Sequence, residues 1–309
     1  MTGPSPLVSL IMPVWSPRQE WLRAAVESAL AQTGCAVELV VVDDGCEPPV
    51  AEVLSDVADE RLRIVRVPHG RVSRARNAGI EVARGSWIRF VDYDDVIVED
   101  STSHLLALAD GDDRVITYGA TAVCDEVLRP LSVVASDLQG RVAEACLLGR
   151  FDTTIHSLLF PRAVVDVIGP WEPAIVVSQD WDYALRGFEV AEVRGDRRIA
   201  THYRTHGGMN SRDVRQGVNG YRLVVERYFE RHPDERGQAL ERRARAGFHL
   251  FATVQSATRL RQPGAALRHL ARALALDPVA SLRGLGRYGA MPLRPGGSRV
   301  RARFSRSAA

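Results

Sequence analysis

Between Asp92 and Asp95 the chain sets three carboxylates in four residues, directly after the apolar run Trp87 to Val91. A loop beyond a strand end can turn carboxylates spaced i and i+2 toward one point, and such hard oxygen ligands suit Mn or Mg. An ion held there relieves their mutual repulsion and stabilises charge on a departing diphosphate. A solvated acidic turn accounts for the same residues, because Asp-x-Asp alone is common by chance. A second acidic pair, Asp43-Asp44 before Gly45, also follows an apolar run. There Asp44 is the better candidate to accept hydrogen bonds from a nucleobase imide or a ribose hydroxyl, although a plain turn would also use it.

Three further groups could join this chemistry. The stretch "GRVSRARNAGIEVARG" puts Arg71, Arg74, Arg76 and Asn77 around a helix start, where anions are favoured. The stretch "VSQDWDYALRG" puts Asp180 and Asp182 at another helix start, preceded by a loop carrying Trp171. Acids there are often caps, but a single general base such as Asp180 is what direct displacement by an acceptor hydroxyl requires. Beyond it, "HYRTHGG" offers His202 and His206, the kind of loop histidine that can complete the coordination of a metal-bound diphosphate.

The elements that must position these residues are legible as apolar runs and helical periodicities. Leu7 to Val14, Val37 to Val42, Leu62 to Val67 and Trp87 to Val91 read as buried parallel strands. A helix is expected from Ser16, with Pro17 in its first position and Gln19 closing a capping box, and another capped by Ser73 and stopped by Gly85. Strands alternating with helices predict a doubly wound, mainly parallel α/β sheet whose ligands lie beyond the carboxyl ends of the strands. Both acidic clusters fall at such ends and should face one crevice.

From about Asp213 the pattern becomes amphipathic helices, over Val214 to Arg231, Glu235 to Gln262 and Gly264 to Pro278. The chain therefore divides into an α/β region over 1–212, a helical C-terminal region over 213–290, and an arginine-rich tail over 291–309 that is expected to be disordered. Residues 279–309 hold seven arginines and no acid, which would suit peripheral contact with an anionic membrane surface.

Bulk composition narrows the class. With 309 residues, 46% hydrophobic and 25% charged, this is the make-up of a globular protein with a sizeable core. A net charge of +2 does not argue for a nucleic-acid partner. All 40 basic residues are arginine. The four cysteines, Cys35, Cys46, Cys124 and Cys146, lack metal-knuckle spacing and read as reduced thiols. The first residues lack a basic region and their apolar stretch is broken by Pro13, and no run reaches the length of a spanning helix, so a cytoplasmic location is expected.

Taken in order, "MPVW", "VVDDG", "SRARNAG", "FVDYDD", "QDWDYALRG" and "YRTH" resemble the family 2 glycosyltransferases of GT-A fold, over roughly Leu7 to Gly208. The resemblance implies a Rossmann-like GT-A domain and transfer of one sugar, with inversion, from a nucleotide-sugar donor to a hydroxyl-bearing acceptor such as a glycan, a lipid-linked glycan or a small molecule. It implies a donor-nucleotide pocket of Pro13, Val14, Asp44, Arg71, Arg76 and Asp94. The Mn or Mg set would be Asp92, Asp94, Asp95 and His206, and the base Asp180. The sequence departs from the family at Gln179, where a glutamate is usual, and it lacks the QxxRW signature of processive synthases.

Two rival readings remain at this stage. Asp92 to Val96 also fits the Asp-x-Asp-x-Val form of phosphohydrolases with an aspartate nucleophile, but those use a lysine and this chain has none. A sugar-nucleotide-binding module without turnover is the second, and retention of Asp180 argues against it.

Overall fold

The structure, a computed structural model, describes residues 7–151, 153–207 and 213–289. The arginine-rich tail over 291–309 and the expected boundary at 212 lie outside the described residues.

The first hundred residues form the expected alternation: β1 (Val8–Val14), α1 (Gln19–Leu30), β2 (Val37–Asp43), α2 (Val50–Val53), β3 (Leu62–Arg66), α3 (Arg71–Val82) and β4 (Trp87–Phe90). β1 pairs in parallel with both β2 and β4, and β2 with β3. Register sets Val14 opposite Asp43 and Ile11 opposite Phe90, so the carboxyl ends of β1, β2 and β4 share one edge. The sheet continues through β5 (Val96–Ile97), α4 (Ser101–Ala109), β6 (Val115–Cys124), β7 (Pro130–Val134), α5 (Ala143–Leu147), β8 (Leu158–Pro161), α6 (Arg162–Ile168), α7 (Gln179–Val190) and β9 (Glu192–Arg204). The order is β3-β2-β1-β4-β8-β6-β9-β5, with β7 added to β6. β8 enters antiparallel to both β4 and β6, while β6 and β9 run parallel, so a parallel half joins a mixed half at the β4–β8 seam.

Period-two alternation decides which face each strand residue serves. Val8, Leu10, Met12 and Val14 of β1 pack with Leu22, Ala25 and Val26 of α1 and Leu105 of α4. Ile11 points the other way, into the cluster of Phe90, Phe160, Trp171, Tyr183 and Phe188. α3 can lie close on that face because Gly79 has no side chain; a Cβ there would run into Cγ2 of Ile11.

Two helix starts differ from the local reading. α1 begins at Gln19, with Arg18 as the capping residue and no side-chain cap, because Ser16 adopts a positive φ of 46° and turns the chain before the helix can start. Ser73 lies inside α3 and is buried. The start of α3 is capped from a distance, by the Asp44 carboxylate, which accepts from the backbone N–H of Gly70 at 2.7 Å and of Arg71 at 3.0 Å.

The C-terminal region comprises α8 (Val214–Arg231), α9 (Ala239–Thr258), α10 (Pro263–Leu276) and α11 (Pro278–Gly289). Tyr221, Val225 and Phe229 of α8 and Phe248 of α9 belong to the same apolar cluster as Trp171 and Tyr183, so these helices cover one face of the sheet domain. Gly220 allows α8 to cross the chain leading into α7, since a Cβ there would collide with the Val177 carbonyl.

Candidate active site

The acidic loop after β4 is tied down residue by residue. Asp92 takes a hydrogen bond from Arg76 Nη2 at 2.8 Å through Oδ1 and lies 2.9 Å from His156 Nε2 through Oδ2. His156 Nδ1 lies 2.9 Å from Asp95 Oδ2, and Asp95 Oδ1 accepts from the backbone N–H of Arg204 at 2.8 Å. Asp94 Oδ2 lies 2.8 Å from His206 Nε2. Just beyond, Val96 of β5 pairs with His202 of β9, which holds the loop between two strands.

The imidazole between two carboxylates is charged. Burial opposes the charge, yet Asp92 and Asp95 together raise His156 to about 10. Asp92 is held well below the usual carboxylate range, since His156 and Arg76 outweigh its burial. Burial pushes the Asp95 carboxyl up to about 6 against the pull of His156. The carbonyl of His156 in turn accepts from Arg89 Nε at 3.1 Å and Thr201 Oγ1 at 3.0 Å. Arg89 is fully buried with no carboxylate partner among the described residues, and burial lowers it to about 9. Its other donors reach Ser101 Oγ, Thr102 Oγ1 and the Ala200 carbonyl at 2.8 to 2.9 Å, so one side chain links β4, α4, β9 and the turn of His156.

Arg76 is 2% exposed, and its guanidinium lies 4.3 Å from the Trp171 ring, a cation–π contact inside the core. Its Nε and Nη1 have no hydrogen-bond partner among the described residues. Next to it, Asn77 grips the backbone of Trp171, accepting from its N–H at 2.8 Å and donating to its carbonyl at 3.0 Å. Trp171 stacks on Tyr183 of α7 with ring centres 4.1 Å apart. α3 thus positions both the acidic loop and the segment that leads to Asp180.

Asp180 is exposed in the first turn of α7, and Asp182 is buried against Arg186 at 3.0 Å. Burial, followed by Asp95, Asp94, Asp92 and Asp180, raises the Tyr203 phenol well above its ordinary value. The Tyr203 ring itself stacks on His156 at 5.9 Å, beside the acidic loop.

The residues expected at the nucleotide are dispersed along the same sheet edge. Pro13 and Val14 are buried at the end of β1. Asp44 is 2% exposed and spends both oxygens on the α3 start, with His69 Nδ1 also 2.9 Å from Oδ2. Arg71 sits at that start with a positive φ of 69° and an exposed side chain. Trp15 is 52% exposed and stacks on His69 at 4.9 Å, presenting a flat aromatic surface beside Asp44.

The carboxylates suit a hard divalent ion, which would have to displace the proton that His156 carries between Asp92 and Asp95. Asp92, Asp95 and His156 bring one ligand atom each within 4.8 Å of one another, and Asp95 Oδ2 and His156 Nδ1 are buried without an aligned hydrogen bond. Asp94 with His206 offers a second carboxylate–imidazole pair. His156 was not singled out from the sequence, because its partners lie more than 60 positions away and its local context, "TTIHSLLF", has no motif. Arg89 did leave a signal, a charge in the middle of an apolar strand.

Residues 9–141 match the sequence model of glycosyl transferase family 2. A glycosyltransferase of Rickettsia felis is 30% identical over 68% of this chain and 36% of its own length. One of Rickettsia prowazekii is 25% identical over 70% of each chain. The chain therefore spans about a third of the Rickettsia felis relative. Among solved structures, S. aureus TarS residues 1–349 in complex with UDP-GlcNAc superpose with a TM-score of 0.62 at 14% identity, covering 88% of this chain and 81% of that one. Family motifs in order, an acidic loop at the carboxyl edge of a mostly parallel sheet, and these likenesses together identify residues 9–141 as a glycosyl transferase family 2 region in a chain of GT-A-type fold.

Proposed function

We propose that the protein transfers one sugar, with inversion, from a nucleotide-sugar donor to an acceptor hydroxyl, using Mn or Mg. The observation that carries this reading is that α3 holds the acidic loop through Arg76 and Asp92 and, through Asn77 and the Trp171–Tyr183 stack, the helix that bears Asp180. On this reading a base for the acceptor and a cradle for the diphosphate face each other across one cleft. The fold neighbour TarS was crystallised with UDP-GlcNAc, which supports a nucleotide-sugar donor.

Asp94 and His206 would hold the ion. Asp92 and Asp95 are already compensated by His156 and Arg76, whereas among the described residues the Asp94 carboxylate has His206 alone at hydrogen-bond distance, so a cation is drawn to Asp94. The bound ion supplies electrostatic stabilisation to the leaving diphosphate. The clamp of Arg76, His156 and Arg204 keeps the loop in one geometry, so little reorganisation is needed when charge develops. At the other end, the Trp15 and His69 faces beside Asp44, with Pro13, Val14, Arg71 and Arg76 near them, form the donor-nucleotide side. Asp180 accepts the proton of the acceptor hydroxyl as its oxygen attacks the anomeric carbon opposite the diphosphate.

A thermal-shift panel of nucleotide-sugars with and without Mn tests the donor side, because ligands of the native state raise its melting temperature. One nucleotide-sugar should stabilise the protein more with Mn than with EDTA. Asp94→Asn combined with His206→Ala should erase that Mn-dependent increment. A melting temperature indifferent to every nucleotide-sugar, with or without metal, would overturn the reading.

A further inference from the structure

A cavity of about 230 Å³ lies away from the acidic loop, where α8, α9 and α10 meet. Helical spacing builds its walls: Arg222 and Glu226 are one turn apart on α8, Arg245 and His249 one turn apart on α9, and His269 and Arg272 three residues apart on α10. Val225 and Phe248 form an apolar floor, which strengthens any charge interaction above it.

The polar lining carries three guanidinium groups against one carboxylate. Arg222 pairs with Glu226, and Arg245 donates to Glu241 at 2.8 Å. Among the described residues no carboxylate pairs with Arg272. His249 Nδ1 and His269 Nδ1 lie 2.9 Å apart, an arrangement in which one neutral ring donates to the other. Burial, each other and the nearby Arg272 and Arg245 hold His249 down to about 4, and burial with Arg272 and Arg268 lowers His269. Arg272 is exposed at the rim, so the cavity sets one solvent-facing guanidinium without a carboxylate beside two uncharged imidazoles.

We propose that this cavity binds a soluble phosphate-bearing ligand, with Arg272, Arg245 and Arg222 as guanidinium donors and the His249–His269 pair supplying further N–H groups. Donors converging from three helices suit a tetrahedral oxyanion, whereas a planar carboxylate is satisfied by a single guanidinium fork. The ligand compensates Arg272 and lets the imidazole pair take up one proton, so that the Nδ1–H···Nδ1 contact persists and both Nε2 atoms can donate; the charged groups that face the pair are Arg222 and Glu226 of α8, Arg245 of α9, and Arg268 and Arg272 of α10. The site stands independently of the transfer reaction, and its failure would leave that reading untouched.

The test is an NMR titration of the intact protein with inorganic phosphate at pH 7.5 and constant ionic strength, following the imidazole resonances of His249 and His269. Saturable shifts of both rings are expected, with chloride giving none. Arg272→Gln should weaken phosphate binding roughly tenfold, the scale of one charge-assisted hydrogen bond. Arg242→Gln, exposed elsewhere on α9, should titrate like the wild type. Unmoved imidazole resonances, or equal loss in both variants, would overturn the proposal. So would co-sedimentation with phosphatidate vesicles without any response to free phosphate, which would assign the patch to a membrane surface instead.

Discussion

At the scale of single residues, the site is an exercise in charge compensation. Three carboxylates crowd one loop, and the chain answers with one buried imidazolium, one buried guanidinium and a backbone N–H. Because His156 is raised to about 10 from an unfolded value near 6.5, its contribution to stability is complete below about pH 6.5 and is lost as pH rises toward 10. The wild type should therefore lose melting temperature between pH 7 and pH 10 more steeply than His156→Gln, which keeps polarity but cannot carry the charge. Parallel curves for the two proteins would remove the imidazolium from the account. The Asp92, Asp94 and Asp95 cluster could be read from the sequence because its members are adjacent; His156, the residue that makes the cluster tolerable, could not, since nothing local marks it.

At the scale of elements, α3 organises the site. Its start is fixed by Asp44, its interior sends Arg76 to the acidic loop, and Asn77 holds the Trp171 segment that leads to α7. The first four strands and α8 were legible because apolar runs and a 3.6-residue period survive in any context. The starts of α1 and α3 were not, since one depends on the left-handed turn at Ser16 and the other on a cap supplied 26 positions away. The helical region meets this frame at Gly220, where α8 touches the carbonyl of Val177 next to α7. Gly220→Ala should destabilise the fold by about 1–3 kcal/mol, the usual scale of overpacking, despite alanine's better helix propensity. Chemical denaturation measures this directly; an unchanged or raised stability would mean that α8 does not seat α7.

At the scale of the whole molecule, a parallel half-sheet ends at Asp44 and the acidic loop, a mixed half carries β9 and leads to His206, and a helical layer buttresses the helix that bears Asp180. Among the described residues no helix is long and apolar enough to cross a membrane. Alternation of strands and helices made the α/β architecture readable in advance. The sharing of one apolar cluster by α7, α8 and α9 was not readable, because it rests on contacts between elements far apart in sequence. The most direct test is nucleotide release from the nucleotide-sugar that stabilises the protein, compared between wild type and Asp180→Asn with Mn present. With Asp180 as base, the variant should bind donor as the wild type does while its release rate falls by about 10²- to 10⁴-fold. Release at the wild-type rate from Asp180→Asn would contradict the account.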